Sequence, residues 1–520
     1  MDATNRTGAH ALVETLVASG VDTYFANPGT SEMHFVAALD GAQGIRCVLG
    51  LFEGVVTGAA DGYWRMARKP AATLLHLGPG MANGIANLHN ARKARSGIVN
   101  VVGNHGLDHQ RLESPLRSNL EAIAGSISHA VRISADPADL PTDAAAAVEA
   151  SRDGAVGRIS TLVLAADLSW EPGGAASRAR PPRQPATPVE AVAATAKLLS
   201  QYGPRAMLMI GSGGSASVEA QELASAIAVH TGCRLRAEFY NARLPGGRGR
   251  PPVERPPYMV DAAIASFVGT ELLVLAGAAE PVAFFAYPGK PSRLLPPGTA
   301  TLTLAEPHHD VEGVLRALAD ELGAKPRPAV PDGALPPLPT GALTPESVAA
   351  AVAHTLPEQA IVVDESLTAG RSMGGVMRAA APHDWLAVMG GSIGFGLPAA
   401  VGASIGAPGR PVLVLEGDGS AMYTIQALWT MAREQLPVVV LILSNRAYRT
   451  LQFEKMGVGA TGAGRNSAGM LSLEDPTLDW PAMARGHGVS ASRVETAEAL
   501  VEALRRGFAS GEPTLIEAVL

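Results

Sequence analysis

Glu416-Gly417-Asp418-Gly419-Ser420, read together with Asn445, decides the fold of this chain. The apolar run Pro411 to Leu415 leads straight into Gly417-Asp418-Gly419, which reads as a buried strand ending in a tight turn. Ala421 to Glu434 has a helical pattern, and a second apolar run, Val438 to Leu443, ends in Ser444-Asn445. Two parallel strands joined by a crossover helix place Asp418 and Asn445 side by side at their carboxyl ends. A carboxylate, an amide oxygen and glycine amides at a helix start form a seat for Mg²⁺ carrying a diphosphate. An ordinary βαβ turn leaves the same trace and stands as the competing reading.

The rest of the chain supports an α/β protein. Its 520 residues correspond to about three to four domains. Hydrophobic residues make up 47% and charged residues 17%, so large cores can be buried. The net charge of -7, without a basic run or an acidic tail, points away from nucleic acid and membrane surfaces. Cys47 and Cys233 are the two cysteines, far apart and in no metal spacing, which fits a reducing cytoplasm. The N-terminus lacks an apolar signal core, and no apolar stretch is long enough to span a membrane.

Two proline-rich linkers, Trp170 to Pro185 and Lys325 to Pro339, divide the chain into blocks 1–170, 186–324 and 341–520. Short apolar runs alternate with helical patterns in each block. Thr23-Tyr24-Phe25, Cys47-Val48-Leu49, Ala72 to Leu75 and Ile98 to Val102 read as strands of the first, with helices beginning near Ala9, Ser31, Glu53 and Asn83. The expected architecture is three doubly wound parallel-sheet domains. Gly211-Ser212-Gly213-Gly214-Ser215-Ala216 fits a loose dinucleotide pattern, but Arg234 and Arg236 stand where an acid is needed, so a tight strand-to-helix turn is the better reading.

Gly417 to Thr430, Asn27-Pro28-Gly29-Thr30-Ser31-Glu32 and Gly394-Phe395-Gly396-Leu397-Pro398-Ala399-Ala400 occur in an order that resembles the thiamine diphosphate-dependent 2-oxo acid decarboxylase and acetolactate synthase superfamily. The motifs are most like those of benzoylformate decarboxylases, and the resemblance spans essentially the whole chain. It implies a pyrimidine-binding first domain, a Rossmann-like middle domain and a diphosphate-binding third domain. The cofactor then lies between the first domain of one subunit and the third domain of its neighbour.

By this resemblance Asp418, Asn445 and the carbonyl of Ala447 ligate Mg²⁺, while Gly419, Ser420, Thr368, Ser392 and Tyr448 belong to the cofactor site. Ile393 corresponds to the bulky aliphatic residue that keeps the cofactor bent, and Gly391 to the carbonyl that meets its amino group; Ile393 could otherwise be plain core. Glu53 corresponds to the glutamate that shares a proton with the aminopyrimidine and so promotes the ylid. A glutamate that merely stabilises a helix N-terminus is the bland alternative.

His76, after the strand Thr73-Leu74-Leu75, corresponds to a proton-carrying histidine of benzoylformate decarboxylases, or else caps the strand-end loop. The second histidine of those enzymes is absent: Ala286 stands in its place. Thr30 corresponds to a serine that meets the substrate carboxylate, unless it only makes a turn or an N-cap. Asn104 and His105 end another strand and either line the pocket or satisfy loop backbone. The pair His308-His309 reads as surface loop.

The resemblance implies decarboxylation of a 2-oxo acid through an enamine, with release of an aldehyde or ligation to a second carbonyl. An acetolactate synthase-type carboligase is the alternative within the enzymes, and an inactive scaffold subunit the alternative outside them. FAD is not expected, because the glycine turn is weak and Arg248 to Pro257 does not read as a flavin cradle. A homo-oligomer is expected, commonly a dimer of dimers.

Overall fold

The computed structural model describes residues 6–211, 215–326, 333–460, 462 and 464–520. Ser212, Gly213 and Gly214 of the glycine-rich turn, and Arg327 and Pro328 of the second linker, lie outside the described residues.

The first block contributes β1 (Thr23–Ala26), β2 (Arg46–Leu49), β3 (Ala71–Leu75), β4 (Ile98–Asn104) and β5 (Ala130–Ile133). A two-stranded ribbon, β6 (Arg152–Asp153) and β7 (Val156–Gly157), precedes β8 (Ile159–Ala165). The six-stranded sheet runs β2-β1-β3-β4-β8-β5, and every pairing is parallel. The middle block supplies β9 (Ala206–Ile210), β10 (Arg234–Ala237), β11 (Leu244–Gly246), β12 (Leu272–Ala276) and β13 (Ala300–Ala305). The last supplies β14 (Ala360–Glu365), β15 (His383–Ala387), β16 (Val412–Gly417), β17 (Val438–Ser444), β18 (Ser490–Val494) and β19 (Thr514–Val519).

The middle sheet, β10-β9-β12-β13, is parallel. β11 leaves it and pairs antiparallel with β15, so the third sheet reads β11-β15-β14-β16-β17-β19-β18. This exchange, which the block-by-block reading does not anticipate, ties the middle block to the third sheet.

Alternation along the buried strands sorts side chains into two cores, one per face. Ile361, Val363, Val412 and Val414 join one core; Val362, Leu413, Leu415 and Leu441 join the other. The first of these cores is shared with Phe25, Leu75, Ile98 and Val102 of the first sheet. Helix Glu53–Ala67 crosses helix Gly396–Gly406 inside it. A Cβ on Gly62 would fall 2.0 Å from the carbonyl oxygen of Ala399, and one on Gly402 1.8 Å from that of Ala59. Only glycine permits that approach, which brings the first and third blocks into contact.

Two helix boundaries differ from expectation. The helix expected from Asn83 begins at Leu77, because Pro79 sits in its first turn, where no backbone N–H is needed. The pattern from Ala421 to Glu434 is split into Asp418–Ala421 and Ala427–Arg433. In the gap Thr424 Oγ1 donates to the carbonyl of Gly394 at 3.0 Å, a side-chain bond that competes with the helix. No helix among the described residues is long and apolar enough to cross a membrane.

Candidate active site

Strand order reverses in each of the three main sheets, and the reversals in the first and third concern the site. In the first sheet β1 leads to β2 on one side and β3 lies on the other; in the third sheet β14 and β16 are related in the same way. Such switch points open a crevice at the carboxyl ends of the strands. The chemistry-bearing residues gather at these two crevices.

At the third-sheet switch point Asp418 is buried at the end of β16. Its Oδ2 accepts from the N–H of Arg446 at 2.6 Å and its Oδ1 from that of Gly419 at 2.9 Å. Asn445 Oδ1 accepts from the N–H of Ala447 at 3.0 Å. The pairing of Gly417 with Leu443 brings the two segments level. Burial pushes the Asp418 carboxyl up, and the backbone amides offset only part of that cost. A carboxylate, an amide oxygen and a nearby carbonyl are hard oxygen donors, and a divalent cation would supply the missing positive charge, so the residues present fit Mg²⁺.

These residues open into a cavity of about 1090 Å³, enough for a cofactor and a substrate together. Thr368, Gly391, Ile393, Gly419, Ser420, Ala447 and Tyr448 also line it. A Cβ on Gly419 would meet the Tyr448 ring at 2.5 Å. Ser392 does not line the cavity; its carbonyl and N–H bond to Asn90 at 2.8 and 3.2 Å. Across the cavity stands an aromatic wall of Phe239, Tyr240, Tyr258, Phe284 and Phe285, with Arg371 stacked 4.6 Å from the Tyr258 ring centroid. Sequence reading missed this wall because its members lie on separate loops with no shared period.

Among the described residues none before Arg236 lines the cavity, so Glu53, Thr30, His76, Asn104 and His105 lie outside it in the single chain. Glu53 is buried at the start of its helix, where Asn83 Nδ2 donates to Oε2 at 3.0 Å. At the first-sheet switch point His76 Nδ1 lies 2.9 and 3.1 Å from the two oxygens of Glu32. Glu32 is fully buried and accepts from the N–H of Gly29 at 2.8 Å and from Ser31 Oγ. A Cβ on Gly103 would fall 1.6 Å from Glu32 Oε1, so β4 leaves room for that carboxylate only by having glycine there. Thr30 is exposed beside this cluster. Asn104 Oδ1 accepts from the N–H of His105 at 2.9 Å, and His105 Nε2 lies 3.0 Å from Ser114 Oγ. Burial, then His109 and His76, hold His105 below the usual imidazole value.

Two further carboxyls escaped sequence reading. Glu365 ends β14 and accepts from the N–H groups of Gly394, Phe395 and Gly396 at 2.9, 2.8 and 2.7 Å. Glu416 pairs with it in register on β16. Burial pushes Glu365 up to about 7 against the pull of those amides. Burial and then the charge of Glu365 drive Glu416 well above the carboxylate range. The signal was an acid at the end of each apolar run, legible only once the two runs are known to be neighbours.

A doubly wound first domain and third domain, each with polar residues at its switch point, define an enzyme class built around a diphosphate-bearing cofactor. The chain belongs to the thiamine pyrophosphate enzymes: residues 6–125 match their N-terminal TPP-binding domain and residues 369–518 their C-terminal TPP-binding domain. It is 48% identical to IlvX of Mycobacterium tuberculosis, across 99% of each chain; that protein's name assigns it provisionally to the acetolactate synthase large subunits. It is 30% identical to benzoylformate decarboxylase of Pseudomonas aeruginosa, across 98% of this chain and 97% of the relative. The thiamine diphosphate-dependent 4-hydroxybenzoylformate decarboxylase of Rhodococcus jostii superposes with a TM-score of 0.82 at 25% identity, covering 98% of both chains.

Proposed function

We propose that this protein decarboxylates a 2-oxo acid without oxidation, using thiamine diphosphate and Mg²⁺. The Glu32–His76 pair carries this reading. A buried carboxylate against Nδ1 fixes the imidazole's tautomer and leaves Nε2 free to move a proton. Asp418, Asn445 and the Ala447 carbonyl would hold Mg²⁺, and Ile393 and Gly391 would support the cofactor between metal and substrate. Bound thiamine diphosphate supplies the electron sink for loss of carbon dioxide. Glu53 belongs to the same machinery; it does not line the cavity of the single chain, which supports a site completed by a second copy of the chain. The smallest active unit is then a dimer. The aromatic wall favours a substrate with a bulky apolar or aromatic side chain.

The second reading, carboligation to an acetohydroxy acid, is favoured by the likeness to IlvX. Carbon dioxide release and product identity, measured on pyruvate, 2-oxobutyrate, branched 2-oxo acids and benzoylformate with and without an acceptor aldehyde, separate the two. Aldehyde from a bulky 2-oxo acid supports the first reading; acetolactate from pyruvate supports the second.

A further inference from the structure

Both readings consume one proton from water in each turnover. Decarboxylation is R–CO–COO⁻ + H⁺ → R–CHO + CO₂, and coupling two 2-oxo acids with loss of one CO₂ takes up one H⁺ as well. A site enclosed between domains needs a route for that proton. Nδ1 of His76 is engaged by Glu32, and Glu32 is closed to solvent, so a proton reaches His76 through Nε2.

A row of imidazoles leads outward from His76. Leu75 of β3 pairs with Val102 of β4, so the two strands deliver His76 and His105 to the same edge of the sheet. His109 follows on a short turn, its ring centroid 5.1 Å from that of His105, and Ser114 Oγ lies 3.0 Å from His105 Nε2. Exposure rises along the row: Glu32 is buried, the His76 side chain is 21% exposed, His105 is half-buried and His109 is exposed.

We propose that His76, His105 and His109 form a relay that brings the consumed proton from solvent to the site, His109 being the port and His105 the carrier beside His76. The proposal rests on the 2-oxo acid reading above. His109 takes a proton at a ring nitrogen and passes it to His105. His105 gives it to His76 Nε2, which delivers it to the substrate carbon that has lost its carboxylate. Uptake at His109 breaks an O–H bond of solvent, each later transfer breaks one N–H bond, and every step makes one new bond to hydrogen, so charge moves and no other reactant is needed.

The electrostatics suit this traffic. Burial and its two neighbours favour the neutral form of His105, and a proton on one imidazole disfavours protons on the others. The other charged groups of these elements are the Asp108–Arg111 pair on the turn that carries His109, Asp167, which accepts from the N–H of Leu107 at 2.8 Å, and the Glu113–Arg117 pair on the loop that carries Ser114.

The test uses the full-length enzyme loaded with thiamine diphosphate and Mg²⁺, and the same protein without them. His105→Gln should lower kcat for carbon dioxide release by about 10²-fold. His109→Gln, on an exposed turn where folding is not at stake, should lower it by about 3- to 10-fold and recover when imidazole is added to the buffer. Without cofactor, the pH midpoint for carbethoxylation of His105, followed by mass spectrometry, should move upward in His76→Gln, because a like charge has been removed. Unchanged kcat in both variants, or a His105 midpoint indifferent to His76, overturns the relay. If the wild-type enzyme releases no carbon dioxide from any 2-oxo acid, the 2-oxo acid reading fails, and the midpoint shift still reports on the histidine row.

Discussion

Glu365 and Glu416 face each other in register at the ends of two adjacent parallel strands, both shut off from solvent. Three backbone N–H groups before and at the start of helix Gly396–Gly406 favour the ionised form of Glu365 against the cost of its burial, while Glu416 has no such donors and is driven further up. Glu365 anchors Gly394, Phe395 and Gly396, the backbone that follows Gly391 and Ile393 of the cavity lining.

This arrangement makes stability depend on pH. Glu365 titrates at about 7 when folded, against an ordinary value of 4.5. An acid whose pKa rises on folding contributes stability that is fully present below its unfolded value and is lost as pH rises through the folded one. The cofactor-free protein should therefore lose resistance to urea between about pH 5 and pH 8. Glu416→Gln keeps the shape, removes the second acid and can donate to Glu365, so its urea midpoint should fall less over that range. Parallel pH profiles for wild type and variant would count against the pair.

Asp418 and Glu53 should separate binding from activation. Asp418→Ala removes the charge that pairs with the metal, and the variant should no longer retain thiamine diphosphate on gel filtration. A chelator should have the same effect on the wild type. Glu53→Gln still fills its place beside Asn83 and should bind cofactor, yet slow deuterium exchange of the cofactor's acidic ring proton by orders of magnitude. Exchange at the wild-type rate would remove Glu53 from its proposed role.

His76→Ala should lower turnover by about 10²–10⁴-fold with cofactor binding intact. Glu32→Gln should also lower kcat more than it raises KM, because the amide no longer fixes the tautomer of His76. A change confined to KM in both variants would mean that the pair only shapes the pocket, and would favour the carboligase reading.

Arg65 is a structural counterpart on the Glu53 helix. It is buried, pairs with Asp61 through two bonds of 2.9 and 2.6 Å, and donates to the carbonyl of Ala387 in the third sheet at 2.7 Å. Arg65→Ala leaves Asp61 buried without its cation and should cost about 3–5 kcal/mol. Calorimetry of the variant tests this; a melting temperature within error of wild type would show that Asp61 finds other partners.

An isolated single chain should be inactive. Light scattering and sedimentation across a dilution series, read beside carbon dioxide release, should show activity falling as dimers dissociate. Full activity in a monomer would refute the shared site.

What the sequence determined by itself was whatever is local or periodic. Apolar runs of strand length, the Gly417-Asp418-Gly419 turn and the helix after Leu51-Phe52 were legible because each depends on neighbours in the chain, and Asp418, Asn445, Glu53 and His76 could be named from motif order. Tertiary structure alone decided what depends on residues far apart. Glu365 and Glu416 are ordinary acids until two strands lie side by side. The aromatic wall exists only where separate loops converge, and the exchange of β11 into the third sheet follows from packing between blocks. His105 became more than a loop residue once β3 and β4 were paired, because that pairing adds His76 to an electrostatic neighbourhood that the sequence alone limits to His109.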